Sequence, residues 1–169
     1  MEGFDEPDGR IADPSRLLIE YLELYRQTML RKIDGLDDDQ LRHTVLPSGW
    51  TPLELIKHLG HVERRWIQWG FQAIAVEDPW GDNDPQTGRW SVGPDESVDD
   101  LRNFLLQQGV RTTRVLSSAP LDTPAEIGGR FSEDPPTLGW IGFHLLQEYA
   151  RHLGHLDVVR ELIDQQTGE

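Results

Sequence analysis

The chain of 169 residues contains no cysteine. Disulfides, thiolate zinc sites and a protein-borne thiol nucleophile are therefore excluded. Lysine is nearly absent: of 16 basic residues only Lys32 and Lys57 are lysine, and 30 acidic residues bring the net charge to −14. So acidic a surface repels phosphate backbones, and neither nucleic acid nor an anionic membrane is expected as a partner. No apolar run approaches the roughly 20 residues that cross a bilayer, and the acidic N-terminus does not read as a secretory signal. A cytoplasmic location is the expectation. Convincing β-strand patterning, internal repeats and low-complexity tracts are missing too. What is present, 37% hydrophobic residues and six tryptophans, is the composition of a folded globule.

Helical punctuation organises the rest. Residues 1–12 are acidic, carry Gly and Pro, and are expected to be flexible; residues 13–169 are expected to form one domain. Asp13 and Pro14 read as an N-cap and a first-turn proline, after which Leu17, Leu18, Tyr21, Leu22, Tyr25, Met29 and Ile33 recur at helical spacing. Residues 37–41 fit one further short helical turn. Thr51, Pro52 and Glu54 predict a capping box opening a second long helix, whose apolar face is Leu55, Leu59, Val62, Trp66, Trp69 and Ala73. His58 lies about 60° from the centre of that face and His61 about another 60° round, outward or towards a neighbour. Glu63, Arg64 and Arg65 read as an exposed face, one arginine stem packing. Residues 76–96 form a long Pro/Gly-rich loop with Trp80 and Trp90, and loops of that length often serve function. Ser97 and Asp100 cap a third helix, residues 117–136 cross over, and a fourth helix runs over about 137–165. The fold class is all-α, a four-helix bundle with long crossover loops.

One stripe of the last helix is unusual. At 100° per residue, Glu148 shares its side with Ile141, His144, Leu145, His152, His155, Leu156, Val159, Leu162 and Ile163. The outer members read as core; the middle is imidazole and carboxylate. Buried polar groups need partners, and a divalent cation would supply one. Glu148 and His152, at i and i+4, project from one face one turn apart. His58 is the core-facing histidine elsewhere, and two imidazoles with one carboxylate leave a tetrahedral zinc an open position. Nickel, manganese and ferrous iron suit the same set. His144 and His155 share the stripe, and geometry excludes neither; His155 could replace Glu148 or orient a ligand from behind. The plainer reading makes the histidines hydrogen-bonded core residues and pairs Glu148 with an arginine of the first helix. His43 reads as solvated, Asp157 and Arg160 as surface or inter-helix pairing, and Trp50, Trp80 and Trp90 as core or the mouth of a pocket.

Two long motifs carry a resemblance. Residues 46–66 (LPSGWTPLELIKHLGHVERRW) and 148–164 (EYARHLGHLDVVRELID), the latter followed by Thr167 and Gly168, are similar to the signatures of the DinB/YfiT-like superfamily. Within it, the chain resembles an actinobacterial branch catalogued as a domain of unknown function and related to mycothiol-dependent maleylpyruvate isomerase. The resemblance runs from about residue 14 to the end. It implies an antiparallel four-helix bundle holding a divalent metal, with ligands falling on His58, Glu148 and His152. Glu148 departs from the family's usual three histidines, but the related isomerase has the same His, Glu, His set. Relatives mostly use a low-molecular-weight thiol such as mycothiol, bacillithiol or glutathione, which suits a chain that must borrow its nucleophile. The expectation is thus a metal-dependent thiol S-transferase or isomerase acting on a small molecule, with His155 behind the ligands. Metal-assisted hydrolysis, or a non-enzymatic metal-binding or homodimerising bundle, are the alternatives.

Overall fold

The structure of the protein, a computed structural model, describes residues 6–167. Part of the segment expected to be flexible, residues 1–5, lies outside the described residues, as do Gly168 and Glu169. Among the described residues the chain is all-α, with two isolated β-bridges and no strand. Its helices are α1 (Pro14–Ile33), α2 (Asp38–Arg42), α3 (Pro52–Glu63), α4 (Val98–Ser118) and α5 (Leu138–Asp164). None is long and apolar enough to cross a membrane.

The helix starts follow local chemistry. Asp13 accepts from the Ser15 and Arg16 N–H groups, and Thr51 with Glu54 closes a reciprocal capping box. Asp37 and Gln40 make a second box on α2. Ser97 and Thr137 accept from Asp100 and Trp140 at the starts of α4 and α5. Each such cap satisfies an otherwise orphaned donor and contributes about 1 kcal/mol. α3 does not stop at Glu63. It runs on as a π-helical segment, Arg64–Phe71, with the Gln72 N–H reaching the Ile67 carbonyl five residues back at 3.0 Å. Such widened turns often mark functional sites.

α1 packs on α4 and α5, and α3 packs on the same two helices, a pairing compatible with a four-helix bundle. Leu22, Met29, Leu55, Leu59, Leu105, Leu145 and Leu156 fill the space between them. Leu162, assigned by its phase to the core stripe, is exposed in the last turn of α5, where Val159 and Ile163 make the contact instead.

The charged face expected at Glu63 and Arg65 is instead interior. Glu63 is fully buried and Arg65 nearly so. Glu63 survives there because all four long helices converge on its carboxylate. Arg26 of α1 donates its Nε–H at 3.0 Å, Thr112 of α4 donates its hydroxyl, and Tyr149 of α5 donates its hydroxyl at 2.5 Å. A fully bonded buried carboxylate is tolerable where an orphaned one is not. Arg26 therefore forms with Glu63 the helix-one ion pair weighed for Glu148. Asp157 and Arg160 do pair between helices, with Lys32 of α1 and its backbone carbonyl.

Candidate metal centre

α3 and α5 bring His58, Glu148 and His152 together. Glu148 Oε2 lies 3.3 Å from His152 Nε2 and 4.0 Å from His58 Nε2. One ligand-type atom from each residue lies within 4.8 Å of the other two. His152 is buried, while His58 and Glu148 are partly buried.

The loop over residues 76–96 completes the surroundings. It folds back as a small hairpin, with Asn83 and Trp90 bridged and the Ser91 N–H bonded to the Asp82 carbonyl at 2.9 Å. Gly88, at φ +68°, supplies its left-handed turn. Lys57 of α3 clamps the hairpin through the Ser91 carbonyl (3.0 Å) and Glu96 (2.7 Å). This presents two residues to His58. Asp82 accepts the His58 Nδ1–H at 2.8 Å, and Trp90 stacks on the imidazole with ring centroids 4.0 Å apart. Trp90 also meets His152 edge-on at 5.3 Å.

Asp82 is 1% exposed and held at its other oxygen by Arg65 Nη1 at 2.5 Å. Burial alone would raise its pKa, but the His58 and Arg65 hydrogen bonds outweigh that and bring it to about 2. Asp82 thus engages Nδ1 of His58, and the other ring nitrogen, Nε2, faces Glu148. Hydrogen bonding from His152, then His58, holds the Glu148 carboxyl well below its ordinary range against the opposing effect of burial. Burial, first among its influences, lowers the His152 pKa and favours the neutral ring. Two imidazole Nε2 atoms and an anionic oxygen therefore face one another, a donor set that fits a divalent cation. His152 Nδ1, on the far side of the ring, is buried without a hydrogen-bond partner among the described residues.

The flanks differ. On one side Trp50 and Trp90 line a cavity of about 520 Å³ shared with Glu54, Asp84, Thr87 and Arg89. On the other, His144 Nε2 stands 3.5 Å from Glu148 Oε1, its ring stacked on Trp140 (5.3 Å, 6°) and tilted against Trp66 (4.4 Å).

His144 thus borders the cluster. His155 is exposed, 5.7 Å ring to ring from His152, and no hydrogen bond joins them among the described residues. On the other histidine, Asp82 bonds the ring nitrogen that faces away from Glu148. His61 turns to a neighbour, packing at 5.0 Å on Phe104 of α4, and it is buried. Trp80 is not at the cavity; it lies under the Arg65 guanidinium at 4.4 Å. Asp82 and Arg65 are the residues that sequence reasoning missed. The one available signal for Asp82 was that its loop is too long for a simple connection.

An all-α chain with a His, Glu, His cluster shared between two helices is of the DinB-like class. The family model for mycothiol S-transferases matches residues 17–165, and the chain belongs to that family. No curated protein matches it.

Proposed function

We propose that this protein is a metal-dependent S-transferase that joins a mycothiol-type thiol to a small electrophile, with His58, Glu148 and His152 as the ligands of a divalent cation, zinc foremost. The observation that carries the reading is the convergence of those three donors, with Asp82 engaging Nδ1 of His58. Such a cation holds a thiol as thiolate, its nucleophilic form. The chain itself has no cysteine, so the sulfur must arrive with a substrate.

The remaining tasks belong to side chains. With two neutral imidazoles and one carboxylate as ligands, a divalent ion would keep one positive charge, which one thiolate would neutralise. Trp90 and Trp50 shield one side from water, which strengthens electrostatic interactions there. The cavity behind them, bordered by Glu54, Asp84, Thr87 and Arg89, offers hydrogen-bonding groups for a hydroxyl-rich thiol carrier.

Protein purified without a histidine tag should hold about one divalent metal per chain, and His152→Ala should lose it. Metal-loaded protein should conjugate mycothiol to a fluorogenic alkylating agent faster than the uncatalysed background. A metal-free preparation that still accelerates the reaction would sink the proposal. Turnover of an ester or amide with no thiol present would point to a hydrolase instead.

A further inference from the structure

The loop after α4 places one cation where no carboxylate meets it. The buried arginines are neutralised: Arg26 by Glu63, Arg65 by Asp82 and Arg160 by Asp164. Arg130 is half-buried, yet among the described residues its guanidinium makes no ion pair and no hydrogen bond, and Nη1 is enclosed without a partner. Burial lowers its pKa, and the nearby Arg65 adds to that. Leaving the donors of the enclosed Nη1 unused is costly. In a chain of net charge −14, where carboxylates are plentiful, an unpaired cation stands out.

Its setting is built, not accidental. The Arg130 N–H bonds to the Trp69 carbonyl at 2.9 Å, anchoring the loop to the π-helical segment. The guanidinium lies over Trp66 at 4.2 Å, with Trp80 at 5.6 Å. Trp66 leads onward to Trp140 (5.4 Å) and to His144 (4.4 Å), which touches Glu148. Trp80 and Trp140 are each about half exposed, at 47% and 53%, so the aromatic surface is open. One ring and one imidazole separate the cation from the cluster of His58, Glu148 and His152.

We propose that Arg130 is the seat of an organic carboxylate, and that the aromatic surface of Trp66, Trp80 and Trp140 receives the apolar body attached to it. A planar guanidinium matches a carboxylate edge, and cation–π contact with Trp66 holds it in place for a two-pronged bond. A single cation amid so much negative charge suits a monoanion on an apolar frame rather than a phosphate. The seat rests on Arg130 and its surroundings alone. Its use as the subsite for the electrophile rests on the thiol-transfer reading, and makes that electrophile an acid.

The test separates the two. Benzoate and its neutral counterpart benzamide are titrated into chelator-treated protein, followed by tryptophan fluorescence, so that no metal can bind the carboxylate. Benzoate should saturate, and benzamide should bind at least about tenfold more weakly. Arg130→Gln should weaken benzoate at least about tenfold, Arg130→Lys by less, and the remote Arg16→Gln not at all. Benzoate binding Arg130→Gln as tightly as wild type, benzamide matching benzoate, or no saturable benzoate binding would each overturn the seat. If Arg130→Gln does not fold, the benzamide comparison and Arg130→Lys decide. In the metal-loaded transfer assay, Arg130→Gln should raise KM for a carboxylate-bearing electrophile and leave a neutral one unchanged. Absence of any thiol transfer would end the transferase reading but leave the binding result standing.

Discussion

Asp82 binds His58 through one carboxylate oxygen and Arg65 through the other, at 2.8 and 2.5 Å. The loop thereby orients a side chain of α3. Partners of this kind set ring orientation and basicity, and their loss typically costs 10–100-fold in metal affinity. Asp82→Ala should therefore weaken zinc by roughly that factor in chelator competition, while far-UV circular dichroism stays helical. An unchanged affinity would mean that His58 is held by stacking on Trp90 alone.

The four polar residues of the α5 stripe, together with His58 of α3, should separate by role. His58→Ala, Glu148→Ala and His152→Ala should each cut bound metal to well below about half an equivalent after dialysis, since a three-donor site cannot spare one. His144→Ala and His155→Ala should keep about one equivalent. Loss of metal from His144→Ala would enlarge the ligand set to include it.

Acid should weaken the fold through His61. Burial, its largest influence, depresses its pKa to about 4, against the raising effect of Asp82. The unfolded value is about 6.5, so the folded state resists a proton that the unfolded chain accepts. Stability is whole above about pH 6.5, falls as pH drops towards 4, and levels off below that, with a total of about 3 kcal/mol. Urea midpoints of metal-free protein should follow that course. His61→Gln should flatten the slope in this window, and an identical slope in the variant would assign the acid sensitivity elsewhere.

Glu63→Ala should be the most damaging single change in the core. It strands Arg26, Thr112 and Tyr149 without their common acceptor, and breaking a buried pair costs about 3–5 kcal/mol. A thermal midpoint lower by roughly 10 °C is expected. Arg26→Met combined with Glu63→Gln should recover part of the loss, because no charge is then left alone.

The elements legible in the sequence were those written locally. Caps at Asp13, Thr51 and Ser97 use a side chain and a backbone N–H two or three residues away, so the chain states them outright. Glu148 and His152 are one turn apart, and helical period alone puts them on one face. Asp82 was not legible, because no period relates a loop residue to a helix 24 positions earlier. Glu63 and Arg65 were misplaced because charge was read as exposure. Their partners lie on other helices or across a loop, as far as 86 residues away at Tyr149. The widening at Arg64–Phe71 left no mark in composition.

The bond from Tyr149 to Glu63 has a consequence for the neighbouring residues. Tyr149 follows Glu148 directly, and Glu63 stands five positions after His58 on the same helical run. Each residue of an α-helix advances the rotation by about 100°, so rolling α5 by one step would break the buried bond and swing Glu148 aside together. The hydroxyl acts as an indexing pin. It fixes, from the dry interior, the angular phase of the two helices that carry His58 and Glu148, independently of whatever occupies the space between those side chains.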